Sequence, residues 1–307
     1  MFQSPMKICY ILAQALTLIL GVQVTWSFSL QRSIAGRPCG ASLFQSTRLY
    51  QTSATTLPRI SASHLEELTS KGYVVIENFL PDSLQESLRD DVQNLRDKAK
   101  FKIAKIGQDA TNTLNTNIRV AETCFVGRNK LTDIPNGARS SLYDVLDQIR
   151  QDLPQPLDVN LSEFLYAYYP SGGFYRRHRD AIPGSASMLR KFSLLMYLNQ
   201  DWTEQDGGML RIHMDSGGDE LPAGETPNYL DIPPKGGTLV LFYSDKLPHQ
   251  VLDTESERIA IVGWYNRPVS PSDISELSGQ DISPIRIAAL AIAAGLVTAG
   301  LISITGS

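Results

Sequence analysis

The stretch Tyr168–Asp180, which reads YYPSGGFYRRHRD, decides the fold of this chain. It ends in His178-Arg179-Asp180, and side chains two residues apart on an extended strand leave on the same face, so an imidazole and a carboxylate point at one spot. His249 lies far enough along the chain for several strands to intervene. Two histidines and one carboxylate form the ligand set that holds non-haem Fe(II) and leaves coordination positions open. We therefore predict a metal site formed by His178, Asp180 and His249, called the metal triad below.

A second His-x-Asp sequence, His213-Met214-Asp215, has the same spacing as the predicted ligand pair. It lies close before His249 and leaves little room for separating strands, so we interpret His213 as an ordinary histidine at a strand end. Arg258 follows His249 and opens a strand-like run that ends at Tyr265. A fixed guanidinium beside an iron ion suits a dicarboxylate co-substrate, which binds the metal at one end and the arginine at the other.

These segments resemble the catalytic core of the EGL-nine type prolyl hydroxylases, which are Fe(II)/2-oxoglutarate dioxygenases. The resemblance runs in matching order and spacing from Tyr168 to Arg267, and residues 72–80 resemble the family's entry strand. The matching pieces are Tyr169-Pro170 with the glycine pair that follows, 175–180, 196–202, 207–212, 248–251 and 258–265.

The resemblance implies that the metal triad binds Fe(II). It also implies that Arg258 takes the distal carboxylate of 2-oxoglutarate, that Tyr197 hydrogen-bonds to the same end, and that Tyr169 lies beside the chelating end. An arginine at position 258 favours the EGL-nine type over the collagen-type prolyl 4-hydroxylases, which carry lysine there. Val262 departs from the pattern, because the family has a threonine there that helps hold the co-substrate.

The implied enzyme is an oxygenase that hydroxylates a prolyl residue of a protein substrate. It consumes O2 and 2-oxoglutarate, releases succinate and CO2, and is expected to need ascorbate. Tyr175 and Arg177, which flank the metal-binding strand, are candidate substrate contacts, and Arg177 equally suits a surface salt bridge. Two alternatives stay open: the same chemistry on a small molecule or lipid, and a non-catalytic membrane-bound module. An open, elongated cleft beside His178 would favour a peptide, and a closed pocket a small molecule.

The remaining pattern predicts three supporting helices within a domain at 61–268. The first is expected to begin with Ser63 as its N-cap and to end at Gly72. The others are predicted from Pro81 to about Lys98 and over Ala138–Asp152, each with an apolar stripe on one face.

Short β-runs separated by glycine and proline turns make up most of this domain. Such a pattern is typical of a sandwich or jelly roll. We therefore predict a mainly β fold whose double-stranded β-helix, or jelly-roll, core joins the two parts of the metal triad at one open end. A strand is predicted over Asn117–Phe125, and the polar segment Phe101–Asn117 before it is interpreted as a substrate-covering lid or a surface loop.

The N-terminal region has the composition of a targeting sequence. Residues 1–30 carry an apolar run after Lys7 and small residues before Phe28, which predicts a signal peptide, with an uncleaved anchor as the alternative. Residues 31–60 are poor in acidic and rich in serine and arginine residues, which is typical of a transit peptide or of a disordered linker. We expect entry into the secretory pathway, with the plastid of an alga or the ER as destination.

The C-terminal region predicts a membrane anchor. Residues 269–284 are polar and bounded by prolines, so we interpret them as a linker. The segment 285–304, uncharged from Ile287 onward, is predicted as a transmembrane helix, with a buried helix as the alternative.

The overall composition excludes some classes of function. The 307-residue chain has a formal net charge of −4, and so mild an acidic balance predicts no binding of nucleic acid. Three cysteines provide no disulfide framework, since only Cys124 falls in the predicted domain.

Overall fold

The computed structural model describes most of the predicted domain. The described residues are 57–107, 113–128, 130–131, 133–159, 162–185, 187–215 and 226–278. They belong to the compact unit that begins at Leu57. The predicted signal peptide (1–30) and transmembrane helix (285–304), and all but the end of the transit-like region, lie outside these residues. Across the described ranges, no helix is both long and apolar enough to span a membrane.

Helix α1 (Ala62–Lys71) precedes the first strand. The Ser61 side chain caps it by accepting a hydrogen bond from the backbone N–H of His64 at 3.2 Å. Ser63 therefore lies inside the helix, and its prediction as the N-cap is wrong by two residues. The helix ends at Gly72, whose φ of 86° confirms the predicted left-handed C-cap.

Helices α2 (Asp82–Asp97) and α3 (Gly137–Asp152) confirm the other two helical predictions. Their apolar stripes join one hydrophobic core with the larger sheet. An ion pair is buried in this core, because Arg139 Nε lies 3.0 Å from Asp91 Oδ2 and both side chains are almost fully inaccessible. Tyr166 of the sheet donates a hydrogen bond to the same carboxylate. The helices are thus fixed to the sheet by polar as well as apolar contacts.

Two antiparallel sheets confirm the mainly β prediction and are consistent with a jelly roll. The strands are β1 (Tyr73–Ile76), β2 (Lys102–Ile103), β3 (Arg119–Val120), β4 (Glu122–Phe125), β5 (Glu163–Tyr169), β6 (Phe174–His178), β7 (Arg190–Tyr197), β8 (Leu210–His213), β9 (Tyr229–Ile232), β10 (Leu239–Tyr243), β11 (His249–Val251) and β12 (Arg258–Asn266). The larger sheet has the strand order β1-β10-β7-β12-β5-β4-β2 and the smaller sheet the order β3-β6-β11-β8-β9.

The strand predicted over Asn117–Phe125 is two strands in different sheets. The chain crosses at Ala121, since β3 pairs with β6 of the smaller sheet and β4 with β5 of the larger. Part of the predicted lid, Lys102–Ile103, is the short edge strand β2, which pairs with β4. Strand β9 was not expected from the sequence, and it extends the smaller sheet by pairing with β8.

Helix α4 (Pro271–Ser278) lies where a linker was predicted. The Asp273 N–H donates to Ser270 Oγ at 3.3 Å, and the Ser270 N–H donates to the Asp273 carboxylate at 2.7 Å, which is a capping box. Leu277 is fully buried, in a small apolar cluster with Leu189. Residues 271–278 of the predicted linker therefore form a capped helix that has an apolar contact with the domain.

Candidate active site

The metal triad comes together at one end of the smaller sheet. His178 ends β6 and lies opposite His249, the first residue of β11. Asp180 follows in a bend just after β6, so it reaches the site from outside the strand on which the sequence reasoning placed it. Its carboxylate oxygens lie 3.6 Å from His178 Nε2 and 3.5 Å from His249 Nε2. One ligand atom from each residue lies within 4.8 Å of the other two, which fits a single ion.

Main-chain carbonyls fix the orientation of both imidazoles. His178 Nδ1 lies 2.8 Å from the carbonyl oxygen of Arg176, and His249 Nδ1 lies 3.1 Å from that of Leu247. A carbonyl oxygen only accepts hydrogen bonds, so each Nδ1 carries the proton and each Nε2 offers a lone pair. This tautomer is the one that binds a metal through Nε2, with the other nitrogen hydrogen-bonded outside the coordination shell.

The charge state of the triad suits a divalent cation. Burial alone would raise the pKa of Asp180, but the adjacent His249, His178 and Arg190 outweigh burial and hold that pKa well below its usual value. Burial lowers the pKa of His249 to about 4, although the Asp180 charge opposes this shift. Asp180 is therefore ionised and His249 neutral at pH 7, as metal ligands must be.

Two buried serines support Asp180, and sequence reasoning missed them. Ser193 Oγ donates to Asp180 Oδ2 at 2.7 Å and lies 2.9 Å from Ser244 Oγ. Both serines are fully inaccessible to solvent. The sequence does hint at Ser193, because it is the only serine in the apolar part of β7 and a buried hydroxyl needs a hydrogen-bonding partner.

Arg258 and Tyr197 present unpaired polar atoms in the interior. Arg258 is only 2% exposed, and its Nε donates to the Gly208 carbonyl at 2.8 Å. Its Nη1 and Nη2, together with the hydroxyl of Tyr197, are buried without a hydrogen-bonding partner among the described residues. The guanidinium carbon lies 5.0 Å from the ring centres of both Tyr197 and Tyr169. Burial raises the pKa of Tyr197 to about 12, so its hydroxyl stays a neutral donor.

A buried guanidinium without a counter-charge calls for an anion. The fork of Nη1 and Nη2 matches a carboxylate, and the Tyr197 hydroxyl adds a third donor. The distal carboxylate of 2-oxoglutarate fits this donor set. Val262, on the strand that Arg258 begins, lines the neighbouring cleft and offers it an apolar wall in place of a hydroxyl.

An open cleft of about 1100 Å³ lies beside the metal triad. Tyr169 and Tyr175 line it, and the Tyr175 ring stacks on the His178 ring with their centres 3.6 Å apart. Trp264, which sequence reasoning did not single out, also lines the cleft, and Arg190 lies over its ring. Tyr175, a predicted substrate contact, thus lies in the cleft together with a second large aromatic side chain.

Arg177 is not among the residues that line the cleft, and its side chain pairs with another segment of the protein. Its guanidinium forms two hydrogen bonds with the Asp215 carboxylate, at 2.5 and 3.2 Å, and a third contact with His213 Nδ1 at 3.2 Å. It therefore forms a salt bridge, the alternative that the sequence left open. His213 ends β8 and lies outside the metal triad.

Comparison with known proteins finds a matching domain family over part of the chain. Residues 164–266 match the 2OG-Fe(II) oxygenase superfamily. Human Egl nine homolog 1 is 27% identical over 202 residues, which cover 64% of this chain and 44% of that protein. The hypoxia-inducible factor prolyl hydroxylase of Caenorhabditis elegans is 24% identical over 230 residues, which cover 71% of this chain and 30% of that protein. The chain thus spans less than half the length of these two relatives.

Solved structures give a similar result. A prolyl-4-hydroxylase from Pseudomonas putida has a TM-score of 0.52 at 27% identity, covering 67% of this chain and 97% of that one. A prolyl hydroxylase from Trichoplax adhaerens, in complex with a hypoxia inducible factor peptide fragment, has a TM-score of 0.54 at 26% identity, covering 71% and 91%. The chain therefore carries a 2OG-Fe(II) oxygenase domain and is homologous to the EGL-nine prolyl hydroxylases.

Proposed function

We propose that this protein hydroxylates a prolyl residue of a protein substrate, using Fe(II), O2 and 2-oxoglutarate and releasing succinate and CO2. The observation that carries the proposal is that the domain contains both a metal-ligand set and a separate site with buried donors for a carboxylate. The ligand atoms of the metal triad lie within 4.8 Å of one another. Arg258, beside Tyr197, has two buried nitrogen donors without a hydrogen-bonding partner among the described residues. A metal ligand set alone would suit many ions, whereas the added carboxylate site specifies a co-substrate that is a dicarboxylate.

The residues of the chain bind and orient, and bound Fe(II) with O2 and 2-oxoglutarate would supply the oxidising chemistry. Asp180 would offset part of the metal charge, and the hydrogen bond from Ser193 holds its carboxylate beside the two imidazoles. Arg258 and Tyr197 would hold the distal carboxylate, with Tyr169 beside the chelating end. Arg258 is buried, so little water would compete with the ion pair that it would form with a carboxylate.

The shape of the cleft supports a peptide substrate. The cleft is open and extends well beyond the metal triad, whereas a small-molecule enzyme is expected to enclose its ligand. Tyr175 and Trp264 line the cleft, where the exposed parts of their rings offer apolar contacts to a proline ring. The Trichoplax relative, which binds a peptide fragment, supports the same choice.

Succinate release tests the proposal directly. The full-length protein in detergent is supplied with Fe(II), ascorbate, 2-oxoglutarate and a library of proline-containing peptides. We expect succinate together with a peptide mass increase of one oxygen atom. His178→Ala and Arg258→Ala should abolish both signals, while His213→Ala, the histidine of the other His-x-Asp sequence, should retain them. Turnover with lipids or small molecules but with no peptide would replace the prolyl substrate, and no turnover with any compound would favour a non-catalytic module.

Membrane attachment and organelle location belong to the same proposal. They are supported by the composition of residues 1–60 and 285–304. Resistance of the protein to carbonate extraction, and its loss after removal of 285–304, would establish the anchor. A fluorescent fusion of residues 1–60 would distinguish plastid from ER.

A further inference from the structure

The cleft beside the metal triad is lined by basic side chains. Two of them are paired, Lys100 with Asp133 at 3.0 Å and Arg190 with Glu163 at 3.0 Å. Five others form no ion pair among the described residues: Lys102, Lys105, Arg119, Lys130 and Arg179. This concentration of positive charge contrasts with the net charge of −4 on the whole chain.

Acidic residues do not neutralise this lining. Only Glu163 and Asp180 are acidic among the described residues that line the cleft. Glu163 is already paired with Arg190, and Asp180 belongs to the metal triad. The cleft is therefore a region of positive potential on a mildly acidic protein, and bound Fe(II) would add to it.

The sheet positions two of the lysines along the cleft. Lys102 lies opposite Thr123 in the register of β2 and β4, and Thr123 lies opposite Ala167 of β5. Residues paired in this way share one face of a sheet, so the face that carries Tyr169 next to Arg258 continues outward to Lys102. Lys105 follows the edge strand and is also exposed. The basic surface thus extends from the metal triad to the edge of the larger sheet.

Two arginines bring the same charge close to the triad. The guanidinium carbon of Arg119 lies 4.5 Å from the centre of the Tyr175 ring, which in turn stacks on His178. The Nε atoms of Arg119 and Arg179 are buried without a hydrogen-bonding partner among the residues that the structure describes. Buried donors of this kind are expected to meet an acceptor, and an anionic one best satisfies them.

Apolar side chains lie between the charges. Phe125 and Ile103 line the same cleft, although they are 49% and 63% exposed. A partner that fits this surface combines negative charge with apolar groups, as an acidic peptide does. A nucleic-acid partner is less suited, because the chain as a whole is mildly acidic, whereas nucleic-acid-binding domains are typically strongly basic.

We propose that the cleft binds an acidic segment of the protein substrate, with carboxylate side chains on either side of the residue that is hydroxylated. This inference rests on the proposed function and adds the chemical class of the substrate. Lys102 and Lys105 would meet the carboxylates farthest from the metal triad, and Arg119 and Arg179 those nearest to it.

Peptide binding tests the inference without turnover. The probes are a fluorescent peptide with one central proline and glutamates on both sides, and its twin with glutamines. Binding to the full-length protein is measured by anisotropy under argon, with Fe(II) and 2-oxoglutarate present. We expect the glutamate peptide to bind about tenfold more tightly at low salt, with the difference shrinking as salt is raised. The double variant Lys102→Glu/Lys105→Glu should remove most of this preference, whereas Lys235→Glu, an exposed lysine outside the cleft, should leave it unchanged.

Equal affinity for the two peptides would overturn the inference. So would displacement of the glutamate peptide by a single-stranded oligonucleotide that binds more tightly. Succinate release in air separates this failure from failure of the proposed function. Equal turnover of both peptides would reject only the acidic preference. Salt-sensitive binding of the glutamate peptide with no succinate from either would count against hydroxylation of such peptides while the charge recognition stands.

Discussion

Replacing Gly208 by alanine should weaken 2-oxoglutarate binding by moving Arg258. The Gly208 carbonyl accepts the hydrogen bond from Arg258 Nε, and its φ is +68°. A Cβ at this position would lie 2.9 Å from Arg258 Cδ and 2.9 Å from Thr254 Cγ2. Ordinary contacts begin at 3.4 Å, so the arginine stem must retreat by about half an ångström. The two unpaired donors of the guanidinium would retreat with it.

The expected loss follows from the strength of the interaction. A hydrogen bond to a charged group contributes roughly 1.5–3 kcal/mol, and two donors of the Arg258 fork meet the carboxylate in the proposed complex. Partial misalignment of both should raise the Kd for 2-oxoglutarate by about 10- to 100-fold, or about 1.4 to 2.8 kcal/mol. Fe(II) affinity should stay unchanged, since Gly208 does not contact the metal triad.

Calorimetric titration of 2-oxoglutarate into the Fe(II)-loaded protein under argon measures this change. Gly172→Ala is the matched control, because Gly172 has a φ of +76° and no atom within 4 Å of an added Cβ. Both variants carry a left-handed alanine, which costs about 1–2 kcal/mol of stability, but only Gly208→Ala disturbs the arginine. A similar Kd for the two variants would refute the reasoning.

Three further predictions concern the support of the metal triad and of the core. Ser193→Ala removes the 2.7 Å hydrogen bond to Asp180, so Fe(II) affinity in a chelator competition should fall about tenfold, and an unchanged affinity would contradict this support. Asp91→Asn leaves Arg139 buried without its counter-charge and should lower the free energy of unfolding in urea by about 3 kcal/mol, while a loss under about 1 kcal/mol would argue against the ion pair. Asp273→Asn weakens the ion pair with Arg267, whose Nη1 lies 2.6 Å from the Asp273 carboxylate, and should cost about 1 kcal/mol at pH 7. Hydrogen bonds from its arginine partner lower the pKa of Asp273 more than burial raises it, so the stabilisation is present above the unfolded pKa of about 4 and is lost as the pH falls below that value. A difference from wild type that already shrinks between pH 8 and pH 5 would count against this assignment.

Local patterns predicted the elements that depend on a few adjacent residues. The apolar stripe of α2 and the left-handed glycine that ends α1 are determined within one or two helical turns, and both are confirmed. The metal triad could also be predicted from the sequence, because few residue types can bind iron and the chain has only four histidines. Its three members do meet in space.

Features that depend on pairing between distant strands could not be predicted in this way. The switch of sheets at Ala121 leaves no mark in the alternation of Asn117–Phe125, because each half is extended and only its partner strand differs. The partner of Arg177 likewise depends on how β6 lies against the segment that follows β8. The capping box of Ser270 was a local signal that the surrounding prolines and polar residues obscured.

The hydrogen bonds at the two imidazoles have a consequence for how this site tolerates sequence change. Each Nδ1 donates to a carbonyl only two positions earlier in its own segment, at Arg176 and at Leu247. Every amino acid provides that oxygen, so replacing the side chain at either position leaves the protonation pattern of the ligands intact. Asp180 differs, because its hydrogen-bonding partner is a side chain, the hydroxyl of Ser193, which most substitutions would remove. Related proteins should therefore vary more at positions 176 and 247 than at position 193.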